Sequence, residues 1–226
     1  MKAVLFDMDG TLVDSEKLWD IAMRELYARH GGVLTPEVRE ATVGGSSESV
    51  IQLVYADLGL EPDPAAMAAT ADWLHDVTGE LFEAGLPWCE GARDLLENLT
   101  VAGVPIALVT NTRRMLTERA LNSIGRQYFA ATVCGDEVRR GKPAPDPYRL
   151  GAQLLGVDPA HCLAVEDSVT GAASAEGAGC PVLVVPNDVA VPVSPRRRHI
   201  TSLAEVDPGR LRQIFTELRL QPGETA

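Results

Sequence analysis

Short uninterrupted apolar runs punctuate the chain at 3–6, 104–109, 129–133, 162–165 and 181–185, and each gives way to polar or glycine-rich residues. Their length and their valine and leucine content predict strands buried on both faces. Between them, apolar positions recur at helical spacing over 92–102, 116–124, 148–155 and 169–178. Strand and helix in alternation predict an α/β fold, a parallel sheet with helices on both sides. Right-handed crossovers then bring every strand's C-terminal end to one edge. In open sheets of this kind ligands bind at that edge, near the point where strand order reverses.

One stretch breaks the alternation. From 15 to 85 no strand candidate occurs, and the pattern predicts amphipathic helices at 18–29, 36–43, 48–58 and 65–83. The expected organisation is a core formed by 1–14 and 86–226, interrupted by a helical cap at 15–85. Hinges are expected near 13–16 and 85–87. The proline-rich segment 186–195 is read as an irregular surface loop, and a last helix is expected over 208–218.

A chain of 226 residues, 46% hydrophobic and 23% charged, has the composition of an ordinary globular protein. Its net charge of -12 offers no broad basic face to a phosphate backbone, so nucleic acid is not an expected partner. The local exception, Arg196 to His199, is read as a solvated loop. Cys89, Cys134, Cys162 and Cys180 show no CxxC spacing and are read as free, mostly buried thiols. The opening apolar run is too short for a signal peptide or a membrane span, and the expected setting is cytoplasmic. With no long apolar stripe unexplained, a monomer is expected.

Chemistry gathers at the strand ends. Asp7-Met8-Asp9-Gly10-Thr11-Leu12 follows the first strand directly. Two acids so placed are costly unless solvated or paired with a cation, and magnesium takes such hard oxygen ligands. Gly10 allows a sharp turn and close backbone approach to a ligand. The competing reading is a polar turn, where Asp-Gly is common. Glu166-Asp167-Ser168 ends another buried strand and can add ligands to the same metal, or it can cap the following helix. Thr110-Asn111, after the strand at 104–109, offers a hydroxyl and a backbone N–H to phosphate oxygens, though it is also an ordinary strand exit. Gly141-Lys142-Pro143-Ala144-Pro145-Asp146 presents one lysine on a proline-stiffened loop, either toward a phosphate or simply to solvent.

In this order the four motifs resemble the haloacid dehalogenase superfamily of aspartate-nucleophile hydrolases, and the resemblance covers nearly the whole chain. It implies a Rossmann-like, doubly wound parallel sheet with an inserted α-helical cap that closes over the site. It further implies that Asp7 attacks phosphorus while Asp9 serves as acid and then base. Thr110 and Lys142 would grip the phosphoryl group. Mg2+ would be held by Asp7, the Asp9 backbone carbonyl and Asp167, with Glu166 assisting directly or through water. The segment Asp14-Ser15-Glu16-Lys17-Leu18-Trp19 is similar to the β-phosphoglucomutase-like subgroup, which includes 2-deoxyglucose-6-phosphate phosphatases.

Among activities in that superfamily, dehalogenation needs no second acid, yet Asp9 is present. A Schiff base on a cap lysine lacks an agent, since Lys17, at the hinge, is the only lysine between 15 and 85. A phosphosugar mutase is the runner-up. There a cap histidine protects the intermediate, whereas Trp19 stands at the aligned position here. Trp19 is thus either a substrate contact or cap packing. Gly10, Asn111, Gly45 and Ser46 complete the candidate substrate contacts. The last two lie in the cap loop 43–48, which is also readable as a helix-to-helix turn. His30 and His75 are read as surface or satisfied core groups. The cap carries few basic residues, which favours a monophosphate on a neutral body, such as a sugar or polyol, as the small phosphorylated metabolite. A non-catalytic phosphate sensor is disfavoured by the intact Asp7, Asp9 and Lys142.

Overall fold

The structure, a computed structural model, describes residues 1–42, 45, 47–185 and 189–220. Among them, six strands form one sheet: β1 (Ala3–Phe6), β2 (Ile106–Val109), β3 (Ala131–Val133), β4 (Cys162–Glu166), β5 (Val182–Val184) and β6 (Arg197–His199). The sheet order is β3-β2-β1-β4-β5-β6, and every pair is parallel. This is the doubly wound order in which the chain reverses its direction of travel between β1 and β4. The α/β architecture expected from the alternating pattern is therefore present. The helices are α1 (Glu16–Arg29), α2 (Pro36–Thr42), α3 (Ser47–Asp57), α4 (Pro64–Ala84), α5 (Ala92–Val101), α6 (Arg114–Ile124), α7 (Asp146–Leu154), α8 (Val169–Ala178) and α9 (Pro208–Leu220).

The described chain divides into two compact units. One comprises Met1–Asp14, Pro87–Arg114 and the chain from Gly125 on; the other comprises Ser15–Leu86 with Met115–Ile124. Most of α6, which the pattern alone places in the α/β core, thus groups with the helical unit.

In the α/β unit the central strands are buried on both faces, which explains why they read as continuous apolar runs. On one face Ala3, Leu5, Val109 and Ala164 pack against Tyr148 and Ala152 of α7 and Ala172 and Ala175 of α8. Helix α8 starts where Ser168 accepts the Gly171 N–H and stops at Gly179 in the left-handed region. In the helical unit Met23, Leu26 and Tyr27 of α1 share a core with Val54 of α3 and Leu74 of α4. Helix α4 begins at Asp63, whose carboxylate accepts the Ala66 N–H at 2.8 Å, with Pro64 next in the first turn.

The loop reading of 196–199 is overturned. Arg197–His199 form the edge strand β6 beside β5. Arg197 pairs with Glu176 at 2.7 Å and Arg198 with Glu217 at 2.7 Å, so this cluster is tied to acids of the same unit. A charged edge strand also resists pairing with another chain. Residues 186–188 of the expected loop lie outside the described residues, and 189–195 carry no helix or strand. No described helix is long and apolar enough to cross a membrane, and all four cysteines are free.

Candidate active site

The two strands on either side of the order reversal deliver the acids. Asp7 follows β1, and its N–H donates to Val165 of β4 at 3.0 Å, so the ladder continues to the nucleophile candidate itself. Gly10, immediately after Asp9, turns the chain at φ 81°, a conformation that L side chains rarely adopt. Its N–H returns to the Val13 carbonyl at 2.8 Å. Asp167 emerges from the end of β4, and Thr11 donates to its Oδ1 at 3.3 Å.

Lys142 reaches the same point from the loop before α7. Its Nζ lies 2.5 Å from Asp7 Oδ1 and 2.6 Å from Glu166 Oε1, with only 3% of the side chain exposed. Asn111, at the end of β2, holds that loop in register. Its Oδ1 accepts the Lys142 N–H at 2.8 Å, and its Nδ2 donates to the Lys142 carbonyl at 3.3 Å. The Asn111 side chain is therefore engaged with the Lys142 backbone.

Glu166 is fully buried, and both of its carboxylate oxygens accept hydrogen bonds. Oε1 accepts from Lys142 and from the Tyr148 hydroxyl at 2.6 Å; Oε2 accepts from Ser168 Oγ at 3.0 Å and from its N–H at 3.4 Å. The carboxylate lies flat against α8, such that a Cβ on Gly171 would fall 1.9 Å from Oε1. The acid thus forms a bracket for Lys142, whose Nζ also stands 5.2 Å from the Tyr148 ring centre.

Asp9 is held on the other side of the site. Thr110 Oγ1 and Thr112 Oγ1 both donate to its Oδ2, at 3.2 and 2.7 Å. Thr110 Oγ1 also accepts the Thr112 N–H at 3.0 Å. Thr11, Thr112 and Tyr148 were not singled out from the sequence. Thr112 stands one residue past the Thr-Asn pair and could have been read with it. Tyr148 looked like an ordinary apolar position of α7, and only its contact with Glu166 reveals it.

Burial pushes the Asp7 carboxyl well above the usual carboxylate range; Lys142 opposes this, while Glu166, Asp167 and Asp9 add to it. Burial also works against the charge on Lys142, but Asp7 and Glu166 outweigh it and hold its pKa above the usual lysine range. Burial and then the nearby acids push the Cys89 thiol up to about 12, so it stays protonated and unreactive at neutral pH.

Asp7, Glu166 and Asp167 each place a carboxylate oxygen within 4.8 Å of the others. Three acids against one ammonium leave two negative charges, which a divalent ion with hard oxygen preferences would balance. The donor set fits magnesium. Because Glu166 already accepts four hydrogen bonds, Asp7 and Asp167 are the better direct ligands.

Trp19 and Gly45 belong to the helical unit. Trp19 packs edge-on against Phe82, with ring centres 6.2 Å apart. The Gly45 N–H donates to the Thr42 carbonyl at 3.2 Å just after α2. Ser46 lies outside the described residues. His75 is buried and meets Ser47 Oγ through Nε2 at 3.1 Å.

A family model described as haloacid dehalogenase-like hydrolase matches residues 1–179, and the chain belongs to that family. It is a hydrolase. The chain is 37% identical over 184 residues to hexitol phosphatase A of Escherichia coli strain K12, covering 81% of this chain and 82% of that protein. It is 30% identical over 180 residues to a phosphorylated carbohydrates phosphatase of Thermotoga maritima, covering 79% and 82%. A solved β-phosphoglucomutase of Clostridium difficile superposes with a TM-score of 0.82 over 97% of this chain and 99% of that one. At 17% identity this likeness concerns the fold alone.

Proposed function

We propose that the protein is a magnesium-dependent phosphatase of small monoesters, sugar or polyol phosphates, acting through an aspartyl-phosphate on Asp7. The observation that carries this reading is the buried meeting of Asp7, Lys142 and Asp167 at the C-terminal ends of β1 and β4. The 37% identity to a hexitol phosphatase supports the substrate class.

Asp7, Asp167 and the backbone carbonyl of Asp9 would hold the ion. When bound, magnesium would supply positive charge that offsets the negative charge of the phosphate and the carboxylates. The residues of the chain supply the rest. An ammonium has three N–H donors, and Lys142 spends two on Asp7 and Glu166, so one remains for a phosphoryl oxygen. A carboxylate of Asp7 attacks phosphorus, and the bond from phosphorus to the leaving oxygen breaks as Asp9 protonates that oxygen. Water then attacks phosphorus, gives its proton to Asp9, and Asp7 returns to a carboxylate as inorganic phosphate leaves. Thr110 and the backbone N–H of Asn111 orient the phosphoryl group, and the helical unit acts as a cap that limits water. Trp19, packed on Phe82, serves the architecture of that cap.

The test is phosphate release from a panel of hexitol, sugar and polyol phosphates with magnesium, repeated with excess chelator and with Asp7→Asn. Turnover of one or more of these esters, abolished by both treatments while the variant stays folded, is expected. Wild-type rates in Asp7→Asn would eliminate the mechanism. Quantitative conversion of β-glucose 1-phosphate to glucose 6-phosphate with a bisphosphate primer, without phosphate release, would replace it with the mutase.

A further inference from the structure

Asn111 reads from the sequence as a candidate substrate contact, yet its side chain faces another part of the chain. Its Oδ1 accepts the Lys142 N–H at 2.8 Å, and its Nδ2 donates to the Lys142 carbonyl at 3.3 Å. One carboxamide thereby engages both backbone polar groups of the residue that carries the ammonium.

Two glycines make room for this clamp. A Cβ on Gly141 would fall 2.8 Å from Asn111 Oδ1, and a Cβ on Gly135, just after β3, would fall 2.1 Å from the Asn111 carbonyl oxygen. Asn111 is thus seated between the chain leaving β3 and the loop that presents Lys142. Farther along that loop, the Ala144 N–H returns to the Gly141 carbonyl at 3.0 Å, and the Ala144 carbonyl accepts Ser174 Oγ of α8 at 2.5 Å. Of these contacts, those from Asn111 are the ones made to the Lys142 backbone itself.

A lysine is aimed from two ends, by the groups that bond its ammonium and by the backbone from which its stem starts. The Lys142 head bonds Asp7 at 2.5 Å and Glu166 at 2.6 Å. In the reaction proposed above Asp7 turns from a carboxylate into an acyl phosphate, and its carboxyl oxygens lose the charge that makes such a bond strong. Through that stage Glu166 remains at the head and the Asn111 clamp at the base. We infer that Asn111 is a positioning residue, whose carboxamide fixes the Lys142 backbone so that the ammonium stays aimed at the phosphoryl group. This rests on the role assigned to Lys142 above.

Asn111→Ala removes the clamp. Gly141→Ala disturbs it by a second route, because the added methyl displaces Asn111 Oδ1 and leaves the carboxamide in place. Each variant would be compared with the parent in kcat and KM on p-nitrophenyl phosphate and on the sugar or polyol phosphate that the parent hydrolyses fastest. Both would then be repeated in a Lys142→Met background, so that Gly141→Ala decides the question if Asn111→Ala does not fold. Loss of two neutral hydrogen bonds predicts a fall of about tenfold in kcat for Asn111→Ala, and a smaller fall for Gly141→Ala. KM should stay within about threefold, and the loss should be equal on both esters because they share the phosphoryl group. In Lys142→Met the same replacements should cost less than about twofold, since residues that act through one group are not additive. Losses repeated in full in Lys142→Met, confined to the sugar or polyol ester, or carried by KM would overturn the inference, as would parental kcat in both variants. A Lys142→Met enzyme with parental kcat would overturn the role of the lysine itself, and the inference with it.

Discussion

Replacing Lys142 by methionine tests whether the ammonium is what makes this acidic site tolerable. Methionine keeps an unbranched apolar stem of nearly the same reach and removes the terminal ammonium with its charge and donors. The structure shows Nζ bonded to Asp7 at 2.5 Å and to Glu166 at 2.6 Å, with all three side chains buried. Removing one partner of a buried ion pair typically costs about 3–5 kcal/mol. Glu166 would keep Tyr148 and Ser168 as donors, and Asp7 can take up a proton, so the lower end of that range, ~3 kcal/mol, is expected. For a chain of this size that is a fall in melting temperature of roughly 6–12 °C without added metal. The cost should depend on pH. Burial already raises the Asp7 pKa, and losing Lys142, which pulls it down, raises it further. A carboxyl raised on folding favours the folded state fully below its unfolded value, near ~3.9, and loses that contribution as pH rises through the folded value. The gap between parent and variant should therefore open as pH rises above about 4 and be largest near neutrality. Thermal melts from pH 4 to pH 8 in chelator measure this directly, and phosphate release reads the catalytic cost, about 100- to 1,000-fold in kcat. A gap below ~1 kcal/mol at pH 7, or one that does not change with pH, would refute the claim that Lys142 neutralises these acids.

Two further substitutions probe the bracket around that lysine. Gly171→Ala would place a methyl about 2 Å from the Glu166 carboxyl, an overpacking worth about 1–3 kcal/mol; activity should fall along with melting temperature, and an unchanged kcat would mean that Glu166 can move without disturbing Lys142. Tyr148→Phe removes only the hydroxyl that Glu166 accepts at 2.6 Å, so it should cost about 1–2 kcal/mol in chemical denaturation and lower kcat more than it raises KM; a variant with parental stability would show that Glu166 does not depend on this donor.

The fold was legible wherever burial on both faces left a continuous apolar run. β1 was read without error, and α8 was bounded correctly because Ser168 and Gly179 are residues that start and stop helices for local reasons. β6 was not legible, since three basic residues carry no strand signal of their own. What makes them a strand is distant in sequence: the backbone of β5, Glu176 and Glu217. The site divides in the same way. Asp7, Lys142 and Asp167 stand at strand and loop ends that the topology alone brings to one edge, so motif order was enough to group them. Glu166, Asn111 and Tyr148 show what motif order cannot supply. Each stands beside a legible residue, yet its partner is settled by side-chain direction: Glu166 turns inward to Tyr148 and Lys142, and Asn111 turns to the Lys142 backbone. The motif thus names the groups that meet the phosphoryl oxygens, while the residues that fix their angles are dispersed through the core. For that reason the site should be more sensitive to a methyl at Gly171 than the exposure of any charged residue suggests, because the carboxylate it would displace is the one that aims the lysine.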